Sequence, residues 1–217
     1  MGTIIGVVNI KGGVGKSTIS AHLAAWLHDR GEGVAFIDTD GQGSSSVWLR
    51  NAEPKIRTER IHDYKELTRY AKESASSHTF VICDGPATLG ETTRGILLVS
   101  DIALLPCVPS SLDWGSLGQT IAELDNCRML RDGQKPEAFI VCNKMDERAN
   151  LSREFLEFAQ ANFHVPLAKG LIHLWQVYVE AARRLTFVGR MGKEGQRAAR
   201  EMESLFMEIC YGKEAAA

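Results

Sequence analysis

The chain has no pair of cysteines spaced as CxxC, and its five cysteines (Cys83, Cys107, Cys127, Cys142 and Cys210) are odd in number and scattered. Most stand in apolar runs (VICD, LLPCVP, IVCN), where cysteine behaves as a small core hydrophobe. That argues against a disulfide framework or an iron–sulfur centre and fits a reducing cytoplasm. No apolar run approaches the roughly 18–20 residues of a membrane span, and the first, 4–8, lacks the layout of a signal peptide. A soluble, intracellular protein is expected. Positive charge is not in excess either: 25 Lys and Arg stand against 27 Asp and Glu, a formal net charge of −2. Contact with nucleic acid therefore needs a local patch. Internal repeats, low-complexity tracts and inter-domain linkers are also missing. The 217 residues, 44% hydrophobic, suffice for one good-sized core. They read as a single domain over 1–212 with a disordered tail at 213–217.

What is present is an alternation of short β-branched runs with helical patterns. Strands are expected at 4–9, 34–38, 79–84, 102–106 and 138–143, with a shorter one at 166–172. Helices are expected at 17–30, 63–76, 115–131 and 152–162, then near 175–185 and 194–210. The polar segment 44–62 reads as the mobile loop of the chain. Near-continuous apolar strands separated by helices imply an α/β, doubly wound, mostly parallel sheet with helices on both faces. A ligand then belongs at the carboxyl edge of the strands.

The string KGGVGKST, residues 11–18, follows the first strand and opens a helix. A glycine-rich turn there lets backbone N–H groups wrap a polyphosphate at a helix N-terminus. Gly12, Gly13 and Gly15 give the backbone its path and its close approach. Lys16 can reach outer phosphates, and the Ser17 hydroxyl can ligate Mg²⁺. The usual first glycine is replaced by Ile10, and a second lysine, Lys11, begins the loop. One nucleotide needs one such lysine, so the second asks for another role.

Hydrolysis of a nucleotide also needs a carboxylate near Mg²⁺ and a group that orients water. The second strand ends FIDTDGQG, placing Asp38 and Asp40 two residues apart, on one side of an extended backbone. The third ends FVICDGPA, with Asp84 in the layout of a Walker-B aspartate. The fifth ends FIVCNKMD, in which Asn143, Lys144 and Asp146 match the string that G-proteins use for guanine. An amide such as Asn143 can read a purine edge with donor and acceptor together. Farther on, residues 183–200 hold Arg183, Arg184, Arg190, Lys193, Arg197 and Arg200 against Glu194 alone. Such a cluster can bind phosphate backbone without sequence preference.

KGGVGKS, IDTDGQG and ICDGPA together resemble the deviant Walker-A ATPases of the ParA/MinD family, closest to small ParA-type partition ATPases. The likeness continues through LLPCVPSSLDWGSL and VCNKMDERANLSREF and spans about residues 3–190. It implies a P-loop fold and an ATPase that takes ATP and Mg²⁺ at Gly12, Gly13, Val14, Gly15, Lys16, Ser17, Thr18 and Asn143. Thr18 would lie near the α-phosphate. Ser17, Asp38 and Asp84 would serve the metal, the two carboxylates through its waters. Asp40 would polarise the attacking water. Lys11 would be the signature lysine, crossing a dimer interface to the partner's nucleotide. By the same resemblance Asn143 follows the strand that contacts adenine, so ATP is expected in place of GTP.

The resemblance further implies an ATP-dependent homodimer that binds non-specific DNA through the basic stretch and positions a plasmid, chromosome region or other cargo. It would be cytoplasmic and nucleoid-associated when ATP-bound. No obvious arginine finger accompanies the loop, so hydrolysis should be slow until a ParB-like or other adaptor stimulates it. The chain begins at its first strand, without the helix-turn-helix of larger relatives, so operator-specific repression is not expected. Two other readings stay open: a MinD-like membrane-associated positioning ATPase, and an ATP-dependent recruitment factor in DNA transfer. Membrane targeting is disfavoured because 194–210 carries four glutamates beside its apolar stripe. Three positions depart from the pattern: Gly41 stands where proline is usual, Trp175 where arginine is common, and Leu185 where glycine is common.

Overall fold

Six strands form one sheet in the order β3-β2-β4-β1-β5-β6, and every neighbouring pair is parallel. They are β1 (Thr3–Val7), β2 (Val34–Asp38), β3 (Arg57–Arg60), β4 (Phe80–Asp84), β5 (Ile102–Cys107) and β6 (Glu137–Cys142). The computed structural model describes residues 1–131, 133–146 and 148–212, with only the backbone of 111–113. The expected tail at 213–217 lies outside the described residues.

Side chains alternate across the strands, as the two-residue period demands. On one face Ile4, Ala35, Val81 and Cys83 meet α3 (Tyr64–Ala75), α4 (Glu91–Val99), α5 (Ser111–Met129) and α6 (Asn150–Asn162). On the other, Ile5, Val7, Phe36 and Ile82 meet α1 (Lys16–Asp29), α2 (Ser44–Ala52), α7 (Gln176–Arg183) and α8 (Gln196–Tyr211). Gly6 lets α4 press onto the central strand. A Cβ there would stand 2.6 Å from both Ile96 and Ser100 side-chain atoms. The chain leaves β1 toward β2 on one side and reaches β5 on the other. The crevice of the topological switch point therefore opens beyond the end of β1, where the phosphate loop sits.

Three expectations change. The segment 44–62 is not an irregular loop: it forms α2 and the edge strand β3. Asp38 Oδ2 accepts from the Ser46 N–H at 2.8 Å, a cap supplied by another element, and Trp48 and Leu49 are buried. The strand β3 is short and polar, as exposed edges tend to be. Residues 166–172 do not form a regular strand. Isolated bridges join Leu167 to Ile140 and His173 to Met145. Between them Gly170 lies so close to α8 that a Cβ would be 2.9 Å from the Leu205 Cα. The third change is α4, unforeseen in the sequence, whose short ILLV run gave no helical period.

The apolar stripe of α8 is spent on the core: Met202, Leu205, Phe206 and Ile209 are all buried. No helix among the described residues is long and apolar enough to cross a membrane.

Candidate functional site

Near the start of the loop between β1 and α1 stands Asn9, expected at the end of the first strand but lying beyond it. It is wholly buried, its Nδ2 donates to the Pro106 carbonyl at 2.7 Å, and its Oδ1 accepts from the Lys11 N–H at 2.9 Å. Asn9 thus ties the start of the loop to the end of β5. Of the three glycines, Gly13 (φ 78°) and Gly15 (φ 97°) occupy the left-handed region that other residues resist. A Cβ on Gly12 would meet only an ordinary contact, 3.7 Å from Ala87. Lys16 is buried at the first turn of α1, and its Nζ donates to the Lys11 carbonyl at 3.0 Å, bridging the loop. Burial lowers its pKa, while the charges of Asp84 and Asp40 raise it. Ser17 and Thr18 are half-buried at the same helix end, and Lys11 is half-buried at the loop's entrance.

Asp38 and Asp84 are register partners on adjacent strands, and both are wholly buried. Their surroundings differ. Asp38 Oδ1 accepts from the Asp40 N–H at 3.0 Å and Oδ2 from Ser46, so it holds the turn after β2 and the start of α2. Neither Asp84 oxygen meets a partner at full hydrogen-bond geometry, nor do the buried Ser20 and Ser45 hydroxyls, although Ser45, Ser17 and Ser20 lie near enough to act on the carboxylate. Burial pushes the Asp84 carboxyl up to about 6. The Ser45, Ser17 and Ser20 hydroxyls draw it down, and the charge of Asp38 adds to the rise. Buried polar atoms are rarely left unmatched. Hard oxygen donors around one carboxylate, beside a phosphate loop, suit a Mg²⁺ ion that keeps several of its waters. The fit is good at Asp84, Ser17, Ser20 and Ser45; the first two were legible in the sequence and the last two were not.

Asp40 lies beyond the end of β2, so extended backbone does not set its side chain beside that of Asp38. It stands in a turn, with Oδ1 accepting from Gln42 N–H at 2.9 Å and its carbonyl accepting from Gly43 N–H at 3.0 Å. Arg60 donates to the Gly41 carbonyl at 3.0 Å, and His62 Nδ1 lies 3.2 Å from the Thr39 carbonyl. Gly41 is exposed and its Cβ direction is open. Asn143 is buried against the loop. Its Nδ2 donates to the Val14 carbonyl at 2.7 Å, and a Cβ on Gly15 would come within 2.0 Å of that nitrogen.

The basic stretch is largely paired. Arg183 bonds Glu180 at 2.9 Å and Arg184 bonds Glu194 at 2.9 Å. Arg190 holds Asp29 at 2.6 Å and Glu53 at 2.9 Å. Arg197 lies 3.9 Å from Glu201 and stacks over Trp175 at 4.2 Å. Trp175 itself donates through Nε1 to Glu201, which fixes it to α8. Lys193 and Arg200 are exposed and make no ion pair among the described residues. Leu185 has φ 48°, the left-handed region, which is the physical reason a glycine suits that position.

Comparison with known proteins bears on the family and the fold. Residues 5–184 match the model of the CobQ/CobB/MinD/ParA nucleotide binding domain. A maintenance of carboxysome distribution protein A from Halothiobacillus neapolitanus is 28% identical over 210 residues, covering 94% of this chain and 95% of the relative. A plasmid partition protein from Borrelia burgdorferi, solved with AMPPNP, superposes with TM-score 0.75 at 19% identity, over 98% of this chain and 100% of the other. A cobyrinic acid a,c-diamide synthase from Mycobacterium smegmatis, holding an ATP analogue and magnesium, gives TM-score 0.72 at 21% identity, over 98% and 97%.

Proposed function

The chain belongs to the CobQ/CobB/MinD/ParA nucleotide-binding family, and from that premise we propose that it is an ATP-dependent dimerisation switch that positions a large cargo. The observation that carries the reading is the group of unpartnered buried oxygens on Asp84, Ser20 and Ser45 beside the two-lysine loop. Buried oxygens gathered beside a phosphate loop suit a bound cation and its waters.

In this reading the loop N–H groups and Lys16 bind the phosphates of ATP. Ser17, and Asp84 through the metal's waters, would hold Mg²⁺, which would supply neutralisation of the phosphate charge. Asp40 sits close enough to Lys16 for its charge to be felt there, and it orients the attacking water. Lys11 reaches across the interface to the nucleotide of a second copy. ATP then acts as a ligand with different affinity for the dimeric state, which is what converts hydrolysis into release. The dimer binds DNA without sequence preference, is cytoplasmic and nucleoid-associated in that state, and is discharged by an adaptor protein. The full-length likeness to a carboxysome-distribution protein supports a cargo that must be spread through the cell.

Light scattering after size exclusion tests the switch with the Asp40→Ala chain. A dimer in ATP, and a monomer in ADP or without nucleotide, is expected. A monomer at saturating ATP overturns the sandwich. The Lys11→Ala chain should bind ATP as a monomer yet cease hydrolysis, and unchanged turnover would remove its proposed role across the interface.

A further inference from the structure

Two adjacent residues of the NKMD string hold the phosphate loop from outside. Lys144 Nζ donates to the Gly13 carbonyl at 2.8 Å, and Asn143 Nδ2 donates to the Val14 carbonyl at 2.7 Å. The two carbonyls are consecutive, and they belong to the turn that contains the left-handed Gly13 and Gly15. The orientation of the amide is fixed by partners of opposite kind, since Asn143 Oδ1 accepts from the Lys144 N–H at 2.9 Å. Asn143 is anchored to β5 as well, its own N–H bonding the Cys107 carbonyl at 2.8 Å. Lys144 adopts φ 54°, a left-handed conformation that a lysine resists unless its surroundings impose it. The next residue, Met145, is pinned by its N–H to the Ile172 carbonyl and by its carbonyl to the Leu174 N–H, both at 3.0 Å.

We infer that Asn143 and Lys144 are a clasp on the phosphate loop, positioning residues that serve polyphosphate binding whatever base is attached. The inference rests on the nucleotide-binding reading above. A carbonyl that accepts a bond from outside the loop is turned away from the phosphates, and the peptide N–H groups on the other side are thereby aimed inward. Gly13 and Gly15 give the turn its shape but no rigidity, because glycine backbone is the freest of all. The clasp supplies the rigidity, and a charged donor at one of its two points makes that bond strong. Asn143 commits one of its two amide N–H groups and one oxygen lone pair to backbone, so its hold on the loop does not depend on any base.

The test is calorimetric titration of the whole chain with ATP, GTP and inorganic tripolyphosphate, each with Mg²⁺. Asn143→Ala and Lys144→Gly should each weaken all three ligands by the same factor, about tenfold. Lys144→Arg, which keeps a charged donor, should recover most of the loss. Lys144→Gly should melt close to the parent, because relief of the left-handed backbone offsets the freer unfolded chain and the lost bond. Affinity lost at undiminished stability is the signature that a merely structural lysine would not give. A loss confined to ATP, with tripolyphosphate unchanged, would make Asn143 a base reader and overturn the clasp. Unchanged affinity for all three would overturn it equally. If the parent binds none of the three and matches Lys16→Ala, the nucleotide reading itself fails, and the clasp with it.

Discussion

The carboxyl edge of the sheet and the basic corner at 183–200 are both rich in charge, but they use it in opposite ways. At the edge, Asp84 is buried without a protein partner, and two buried hydroxyls beside it are unmatched too. At the corner, Arg183, Arg184, Arg190 and Arg197 each face a carboxylate from Glu180, Glu194, Asp29, Glu53 or Glu201. The first region leaves buried polar atoms unmatched, and the second pairs most of its charges. Surface ion pairs are worth little, on the order of 0–1 kcal/mol each, so pairing does not forbid a phosphate from competing for an arginine. It does mean that counting arginines overstates the field available. An unsatisfied buried carboxylate is a stronger sign of function than a row of exposed cations.

The sharpest way to separate the regions is through pH, because burial shifts Asp84 at the edge and His22 under the corner in opposite directions. Asp84 is raised from 3.8 to about 6 by burial. The folded chain holds that proton more tightly than the unfolded one. Its contribution to stability is present below pH 3.8 and is lost as pH rises through about 6, a loss of about 3 kcal/mol. His22, under the basic corner, is lowered from 6.5 to about 4 by burial. Its ring is caged by Trp48, Tyr178 and Phe187, and Nε2 accepts from the Val188 N–H at 3.2 Å. That contribution is present above pH 6.5 and is lost as pH falls to about 4. In the parent the two slopes oppose each other between pH 4 and 6. Asp84→Asn should leave the His22 slope alone, giving a chain that gains stability from pH 4.5 to 6.5 and exceeds the parent near pH 7 by about 3 kcal/mol. Urea unfolding without nucleotide or Mg²⁺ measures both. Identical pH profiles for parent and variant would mean that Asp84 ionises without penalty.

How much of this was legible in the sequence follows the same division. The parallel sheet, the loop at its switch point and the strand-end aspartates were legible because each rests on local pattern: apolar runs, a glycine turn, a carboxylate after a strand. Asn9, Ser20 and Ser45 were not, because their importance comes from residues far away in sequence, such as Pro106 and Asp84. The helix α2 escaped for a related reason, its cap being Asp38 on β2. At the corner the arginines were legible, but their partners Asp29 and Glu53 were not, lying 161 and 137 residues away. Leu185 is the exception. Its departure from glycine was visible beforehand, and the left-handed φ explains it.

A smaller effect is expected at that residue. Leu185 is partly exposed, at 43%, so its side chain earns little by burial. A left-handed backbone costs a non-glycine residue about 1–2 kcal/mol. Leu185→Gly should therefore stabilise the chain by about 1 kcal/mol, read as a higher urea midpoint at unchanged slope, while nucleotide affinity stays as it was. A destabilised Leu185→Gly chain would show that the leucine side chain contributes more to the corner than its exposure suggests.

The smallest expected effect decides whether the corner touches DNA at all. If it does, the contacts should come first from Lys193 and Arg200, which no carboxylate among the described residues occupies. Each phosphate contact removed lowers the slope of log affinity against log salt by about 0.9. With the ATP-trapped Asp40→Ala chain on random duplex, adding Arg200→Ala or Lys193→Ala should flatten the slope by that amount. Adding Arg183→Ala should flatten it less, since that guanidinium must first leave Glu180. Equal flattening at all three positions would show that the carboxylates release their arginines freely and that the corner is one continuous basic surface. No flattening at any of them would move the DNA contact off this corner.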